Sequence, residues 1–123
     1  MLTLPPSVRI YLAATPVDGR RGIDSLAGMV LSDLSLQPLS GHVFCFVSKR
    51  RHQMKILFWD RTGFVLVTKR LERGCFRLPA VIAPGATHVD LESPELTLIL
   101  EGIDLHRSRR RARWSPPSDL VSR

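Results

Sequence analysis

The sequence lacks any long apolar segment. Its longest uninterrupted apolar run, residues 43–47, is five residues, whereas a membrane-spanning helix needs about 20. Pro5, Pro6 and Arg9 interrupt the amino terminus before the apolar core of a signal peptide could form. We therefore expect a protein without a membrane partner that resides in the cytoplasm.

Cysteine is also scarce. Cys45 and Cys75 are the only two in 123 residues, and they do not form a Cys-x-x-Cys pair. A disulfide framework and the common structural zinc sites are therefore disfavoured. His42 and His52 could in principle join the cysteines around zinc, but His42 and Cys45 would fall on opposite faces of a strand. We expect packed thiols, solvated histidines, and no metal or cofactor.

Carboxylates are few, at 11 Asp and Glu, and they are scattered. A nuclease or transposase needs carboxylates that converge on two divalent metals about 4 Å apart. The candidates Asp18, Asp24, Asp60 and Glu72 instead fall beside the first predicted helix or in turns, where capping, turn formation and pairing with arginine are the expected roles. The sequence has no nucleophile elbow and no phosphate-binding glycine loop. We predict no catalytic residues and no enzymatic activity.

Positive charge is abundant and unevenly distributed. The chain carries 18 Lys and Arg against its 11 acids, a net charge of +7. Residues 49–77 hold nine of these cations and two acids, residues 78–106 hold five acids and no cation, and residues 107–123 hold six arginines and one acid. Such segregation predicts a polyanionic or acidic partner, since a surface adapted only for solubility mixes its signs.

The spacing of apolar residues predicts a small α+β fold: an antiparallel β-meander with two helices. A strand is expected over 8–13, and a helix over 22–35 because apolar residues recur at i, i+3, i+4, i+7 and i+8 from Ile23. Four β runs follow at 42–48, 54–60, 64–71 and 75–78, with turns at 60–63 and 72–74. A second helix is expected over 94–101, capped by Ser93 and ended by Gly102.

Large apolar side chains occupy both parities of these strands, as in Ile56 and Phe58 against Leu57 and Trp59. We expect the sheet to be covered on both faces, by helices or by a second subunit of a homo-oligomer. Beyond residue 105 the sequence offers no apolar face. We predict a single domain over 1–105 followed by a flexible, arginine-rich tail over 106–123.

Several motifs occur in an order that resembles a known family. They are Pro16-Val-Asp18, Gly22-Ile-Asp-x-Leu-Ala27, Lys55-Ile-Leu-x-Trp-Asp60, Gly63-Phe64, Lys69-Arg-Leu-Glu-x-Gly74-x-Phe76, Pro79 and Leu100-Glu-Gly-Ile-Asp104. Over residues 8–105 the chain is similar to TnpB, the second-reading-frame (Orf2-like) accessory protein of the insertion sequence sixty-six family of bacterial transposable elements, and not to the RNA-guided nuclease of the same name. The resemblance implies a protein encoded beside a separate transposase and needed for efficient transposition. Gly19 stands where the family usually has a larger residue, which implies a looser approach to the first helix.

The basic segments supply candidate nucleic-acid contacts. In a meander the loop at 49–53 and the turn at 72–74 lie at the same end of the sheet, which would bring two groups of cations together. Alternatively, these are solvated turns and edge strands whose charge disfavours aggregation. The tail either lies along DNA, with Trp114 as an exposed aromatic contact, or is simply disordered. The candidate residues are Lys49, Arg50, Arg51, Lys55, Lys69, Arg70, Arg73, Arg77, Arg107, Arg109, Arg110, Arg111 and Arg113.

Two functions remain open at this stage. One is a noncatalytic accessory factor of insertion-sequence transposition that binds duplex DNA, with the terminal inverted repeats as the candidate sequence, and assists the transposase of the same element. The other is an interaction module that binds the transposase without contacting DNA, through an acidic surface over 90–104 or the exposed sheet. Arginine recognises phosphate and carboxylate alike, so composition does not separate the two.

Overall fold

The chain forms a sheet of five strands with one helix on each face. The computed structural model describes residues 5–79 and 82–102. Within them the elements are β1 (Ile10–Ala13), α1 (Ile23–Ser32), a short 3-10 turn (Pro38–Ser40), β2 (Val43–Val47), β3 (Gln53–Trp59), β4 (Phe64–Arg70), β5 (His88–Leu91) and α2 (Ser93–Leu100). The α+β prediction is confirmed.

The strand order is β4-β3-β2-β1-β5. The strands β2, β3 and β4 pair antiparallel as in the predicted meander, with Leu57 of β3 opposite Phe44 of β2 and Leu66 of β4. In contrast, β1 pairs parallel with β2 and antiparallel with β5. A parallel pair needs a long connection, and α1 supplies it. The edges of the sheet are therefore β4 and β5.

One β prediction was wrong, and one strand was missed. Residues 75–78 are irregular rather than a strand, because the Phe76 amide donates to the Arg51 carbonyl (2.6 Å) and its side chain is fully buried. The strand β5 was not predicted, although its residues alternate: Val89 and Leu91 pack on the core, while Asp90 is exposed. Only four residues long, β5 depends on its ladder with β1.

Both faces of the sheet are covered, as predicted, and helices of the same chain supply the cover. Alternate residues along each strand place their side chains in the cores on opposite faces of the sheet. The core beneath α1 contains Ala13, Val17, Leu26, Ala27, Val30, Leu34, Phe44, Phe46 and Leu57. The core beneath α2 contains Ile10, Leu12, Val43, Cys45, Val47, Met54, Ile56, Phe76, Leu91, Leu96 and Ile99.

The helix ends differ in detail from the prediction. Glu92, not Ser93, precedes α2 as its cap: Glu92 and Glu95 form a capping box in which the Glu92 amide donates to Glu95 Oε1 (2.8 Å). Gly102 follows α2 with a φ of +82°, as expected for a helix stop. Neither helix in the described residues has the length and apolarity to cross a membrane.

Candidate nucleic-acid interface

The β2–β3 loop, residues 48–52, exposes three consecutive cations on a fixed backbone. Ser48 is 6% exposed, and its hydroxyl accepts a hydrogen bond from the Gln53 amide (3.1 Å), while its carbonyl accepts from the Arg51 amide (2.8 Å). Arg51 adopts a φ of +62°, so the chain reverses tightly there. Lys49, Arg50 and Arg51 are all exposed as a result.

The segment that follows β4, residues 71–78, lies against this loop. The Leu71 amide donates to the His52 carbonyl (2.8 Å), and the Phe76 amide donates to the Arg51 carbonyl. Gly74, with a φ of +72°, makes the predicted turn between these two contacts. The convergence of the 49–53 and 72–74 segments at one end of the sheet is therefore confirmed, although the second segment is not a hairpin.

We call the resulting cluster the basic end. Its members are exposed side chains of the loop, of the last β4 residue, which pairs with Gln53, and of the 71–78 segment: Lys49, Arg50, Arg51, Arg70, Arg73 and Arg77. In the described part of the chain, the ion pairs are Arg9 with Asp90 and Arg20 with Asp18, and none involves a member of the basic end. Residues 48–52 and 70–78 contain one acid, Glu72, against these six cations, so the basic end keeps a net positive charge.

Two of the predicted contacts lie apart from the basic end. Lys55 lies in the middle of β3 on the face covered by α1, where its Nζ donates to Thr68 Oγ1 (3.4 Å). Lys69 lies on the opposite face and its Nζ donates to the Leu100 carbonyl at the end of α2 (2.6 Å). The candidate arginines 107, 109, 110, 111 and 113 and Trp114 fall outside the described residues.

Two of the four acids, Asp60 and Asp18, have the local roles that the sequence predicted. Asp60 Oδ1 accepts from the amides of Thr62 (3.2 Å) and Gly63 (3.1 Å), and these bonds, with one from the Thr62 hydroxyl, lower the pKa of Asp60. The Arg20 guanidinium holds the pKa of Asp18 well below its usual range. Residues 5–79 and 82–102 contain no group of three His, Cys, Asp or Glu side chains placed to hold a metal ion.

Sequence reasoning missed Arg20 as a candidate contact. Residues 17–20, 48–50, 52 and 53 line an open groove of about 560 Å³, so Arg20 shares a surface with Lys49 and Arg50. The cause is a nonlocal pairing, in which the Val17 amide donates to the Val47 carbonyl (2.9 Å) and the Lys49 amide donates to the Val17 carbonyl (3.2 Å). No short-range pattern signals that pairing.

The looser approach to α1 that Gly19 implied is not observed. The Arg20 amide donates to Asp18 Oδ1 (2.9 Å) and the Arg21 amide donates to the Asp18 carbonyl (3.1 Å), so the segment is held in a tight turn. A Cβ on Gly19 would lie 2.6 Å from Gln53 Oε1. That oxygen is the far end of a flexible side chain, so a larger residue at position 19 would require only a shift of Gln53.

Comparison with known proteins agrees with the resemblance seen in the sequence. Residues 8–110 match the family described as IS66 Orf2 like protein. The chain belongs to this family. Two relatives come from Sinorhizobium fredii (strain NBRC 101917 / NGR234). Uncharacterized protein y4jC is 39% identical over 104 residues, covering 85% of this chain and 86% of the relative. Uncharacterized protein y4hO is 34% identical over 116 residues, covering 94% and 96%. No solved structure matches the chain significantly.

Membership of the IS66 Orf2-like family makes this chain a transposition-associated accessory protein. The match includes the whole basic end and the groove beside it. It also continues past residue 105, the predicted end of the domain, and takes in Arg107, Arg109 and Arg110 but not Arg111 and Arg113. The boundary at residue 105 therefore stays a prediction.

Proposed function

We propose that this IS66 Orf2-like protein is a noncatalytic accessory factor that binds duplex DNA at the ends of its insertion sequence and assists a separate transposase there. The observation that carries the proposal is the basic end. Backbone hydrogen bonds from Leu71 and Phe76 to the β2–β3 loop join two groups of exposed cations that form no salt bridge among the described residues.

Such a surface suits phosphate contact. Each Lys or Arg that neutralises a phosphate releases condensed counterions, which supplies affinity without reading sequence. Phosphate contacts also fix the orientation of a protein on the duplex. A factor of this kind would hold transposon ends while the transposase performs the chemistry, and would itself need no catalytic group.

The alternative, an interaction module that uses its acidic surface, has weaker support. Several acids over 90–104 already have partners within the chain: Asp90 pairs with Arg9 (2.9 Å), and Glu92 and Glu95 are engaged in the cap of α2. These carboxylates are less available to an arginine-bearing partner. No cation of the basic end forms a salt bridge among the described residues, which favours a polyanion as its ligand.

Fluorescence anisotropy on labelled duplexes tests the proposal. The wild-type protein is titrated onto a terminal inverted-repeat duplex and a scrambled duplex at several salt concentrations, with and without transposase. We expect both duplexes to bind without transposase and with little preference. Contacts to six phosphates would give a log-log salt slope of roughly −5. Binding that requires transposase would overturn the proposal in favour of the interaction module.

A matched pair of variants separates a localised surface from net charge. Arg50→Gln removes one positive charge from the basic end. Arg61→Asn removes one from the β3–β4 turn at the other end of β3, roughly 20 Å away for a seven-residue strand. Asparagine is chosen because Arg61 has a φ of +86°. We expect Arg50→Gln to make the salt slope of DNA binding shallower and Arg61→Asn to leave it unchanged. Equal changes in the two variants would contradict the proposed surface.

A further inference from the structure

We propose that the groove between residues 17–20 and the β2–β3 loop seats one phosphodiester of the DNA backbone, with Arg20, Lys49 and Arg50 as its cations. This inference rests on the proposed function. It extends the interface from the basic end to a segment on the amino-terminal side of α1, which the sequence did not associate with binding.

The walls of the groove are held by the core and by hydrogen bonds to the backbone. Val17 is 3% exposed and packs beneath α1, while its amide and carbonyl bond to Val47 and Lys49 as a short parallel bridge. Ser48 is buried on the other wall and bonds to the amide of Gln53. Both walls are therefore fixed before any ligand arrives, which lowers the entropy lost on binding.

Arg20 is oriented by Asp18. Its Nε donates to Asp18 Oδ1 (3.1 Å) and its Nη2 donates to Asp18 Oδ2 (2.9 Å), so carboxylate and guanidinium form a two-point fork. A guanidinium has five N–H donors, and this fork uses two. The remaining donors belong to a side chain that is 91% exposed. Asp18 thus orients the Arg20 guanidinium and leaves its other N–H donors free, an arrangement that suits phosphate recognition.

The charge in the groove favours an anion. Arg20, Lys49 and Arg50 supply three positive charges against the one carboxylate of Asp18, whose two oxygens already accept from Arg20. Lys49 lines the same groove, and its positive charge contributes to the lowered pKa of Asp18. His52 and Gln53 line the groove beside them.

The neighbouring arginine provides the control. Arg20→Gln removes the held guanidinium, whereas Arg21→Gln removes an equal charge from a residue outside the groove lining, whose Nη1 donates to Ser25 Oγ on α1 (2.6 Å). Anisotropy titrations with the inverted-repeat and scrambled duplexes should give Arg20→Gln a salt slope shallower by about 0.9 and affinity lower by roughly 5- to 10-fold at 0.1 M salt, for both duplexes. Arg21→Gln should match wild type.

The outcomes distinguish this inference from the proposed function. If the wild-type protein binds neither duplex, both the proposed function and the proposed groove are wrong. Wild-type binding that Arg50→Gln weakens, with Arg20→Gln behaving like Arg21→Gln, overturns the groove and leaves the basic end standing. Arg20→Lys tests the contribution of guanidinium geometry, because lysine keeps the positive charge but lacks the planar, two-point donor group. We expect this variant to bind both duplexes less tightly than wild type. If Arg20→Gln alters thermal unfolding, Arg20→Lys alone gives the test, because Arg20 is the one cation of the groove that does not also belong to the basic end.

Discussion

The amide of Phe76 donates a hydrogen bond of 2.6 Å to the carbonyl of Arg51, while the Phe76 ring lies fully buried beneath α2. One residue therefore joins the core to the surface. Its ring fixes the 71–78 segment, and its amide fixes the loop that carries Lys49, Arg50 and Arg51. The shape of the basic end thus depends on packing in the core as well as on local turn chemistry.

Phe76→Ala should destabilise the protein by about 3–5 kcal/mol, because a buried phenyl ring is lost and a cavity remains. Leu39→Ala is the control, since Leu39 is 52% exposed and its removal should change stability by about 0.5 kcal/mol or less. Urea unfolding monitored by circular dichroism measures both. A loss below about 1 kcal/mol for Phe76→Ala would mean that the segment is not anchored by its ring.

Local rules predicted much of the fold. The apolar spacing from Ile23 predicted α1, the runs rich in Phe, Val, Ile and Trp predicted β2, β3 and β4, and Asp60 with Gly63 predicted the turn between the last two. Each of these features depends on residues close together in the chain. Elements that depend on distant partners were missed or misassigned, namely β5, which needs β1, and the irregular segment around Phe76, which needs the core beneath α2.

The same distinction applies to the candidate site. The convergence of the 49–53 and 72–74 segments followed from the parity of a meander, whereas the position of Arg20 depends on the bridge between Val17 and Ser48. Lys69 and Arg70 were both assigned to the cluster around the 72–74 turn, but neighbouring residues of a strand point to opposite faces. Lys69 accordingly reaches Leu100 on the α2 side.

Lys69 and Arg70 should therefore respond differently to neutralisation. Lys69→Gln removes a cation from the carbonyl end of α2, where it interacts favourably with the helix dipole, so we expect a stability loss of about 0.3–1 kcal/mol and an unchanged salt slope for DNA binding. Arg70→Gln should leave stability nearly unchanged and make the slope shallower by about 0.9. Urea unfolding and anisotropy on the same samples check both. A shallower slope for Lys69→Gln would return Lys69 to the DNA-contacting surface.

Cys45 gives the protein a pH-dependent stability that only alkaline conditions reveal. Burial raises the pKa of its thiol from 9.0 to about 12, because the charged thiolate is poorly solvated in the core. The unfolded chain ionises first, so stability that is fully present below about pH 9 is lost as pH rises toward 12, by at most about 1.4 kcal/mol per pH unit.

The comparison between wild type and Cys45→Ala isolates this effect, since other groups titrate alike in both proteins. Below pH 9 wild type should be the more stable, because alanine leaves a small cavity. Its advantage in urea unfolding should shrink between pH 9 and 11. An advantage that stays constant over this range would show that the thiol is less buried than the structure has it.

The arginines of residues 107–113 allow a test of the predicted tail. This stretch contains five arginines and no acid, and Pro116 and Pro117 follow it. Replacing all five arginines by glutamine preserves chain length, so any stability change reports contacts of these side chains with the domain. We expect the thermal midpoint to move little, since surface substitutions usually change stability by about 0.5 kcal/mol or less.

If about four of the arginines contact phosphates, the salt slope should fall by roughly 3.6 and all duplexes should bind more weakly. Undiminished binding to DNA and to transposase would make the tail a passive end, whereas a large loss of stability would show that the domain extends beyond residue 105.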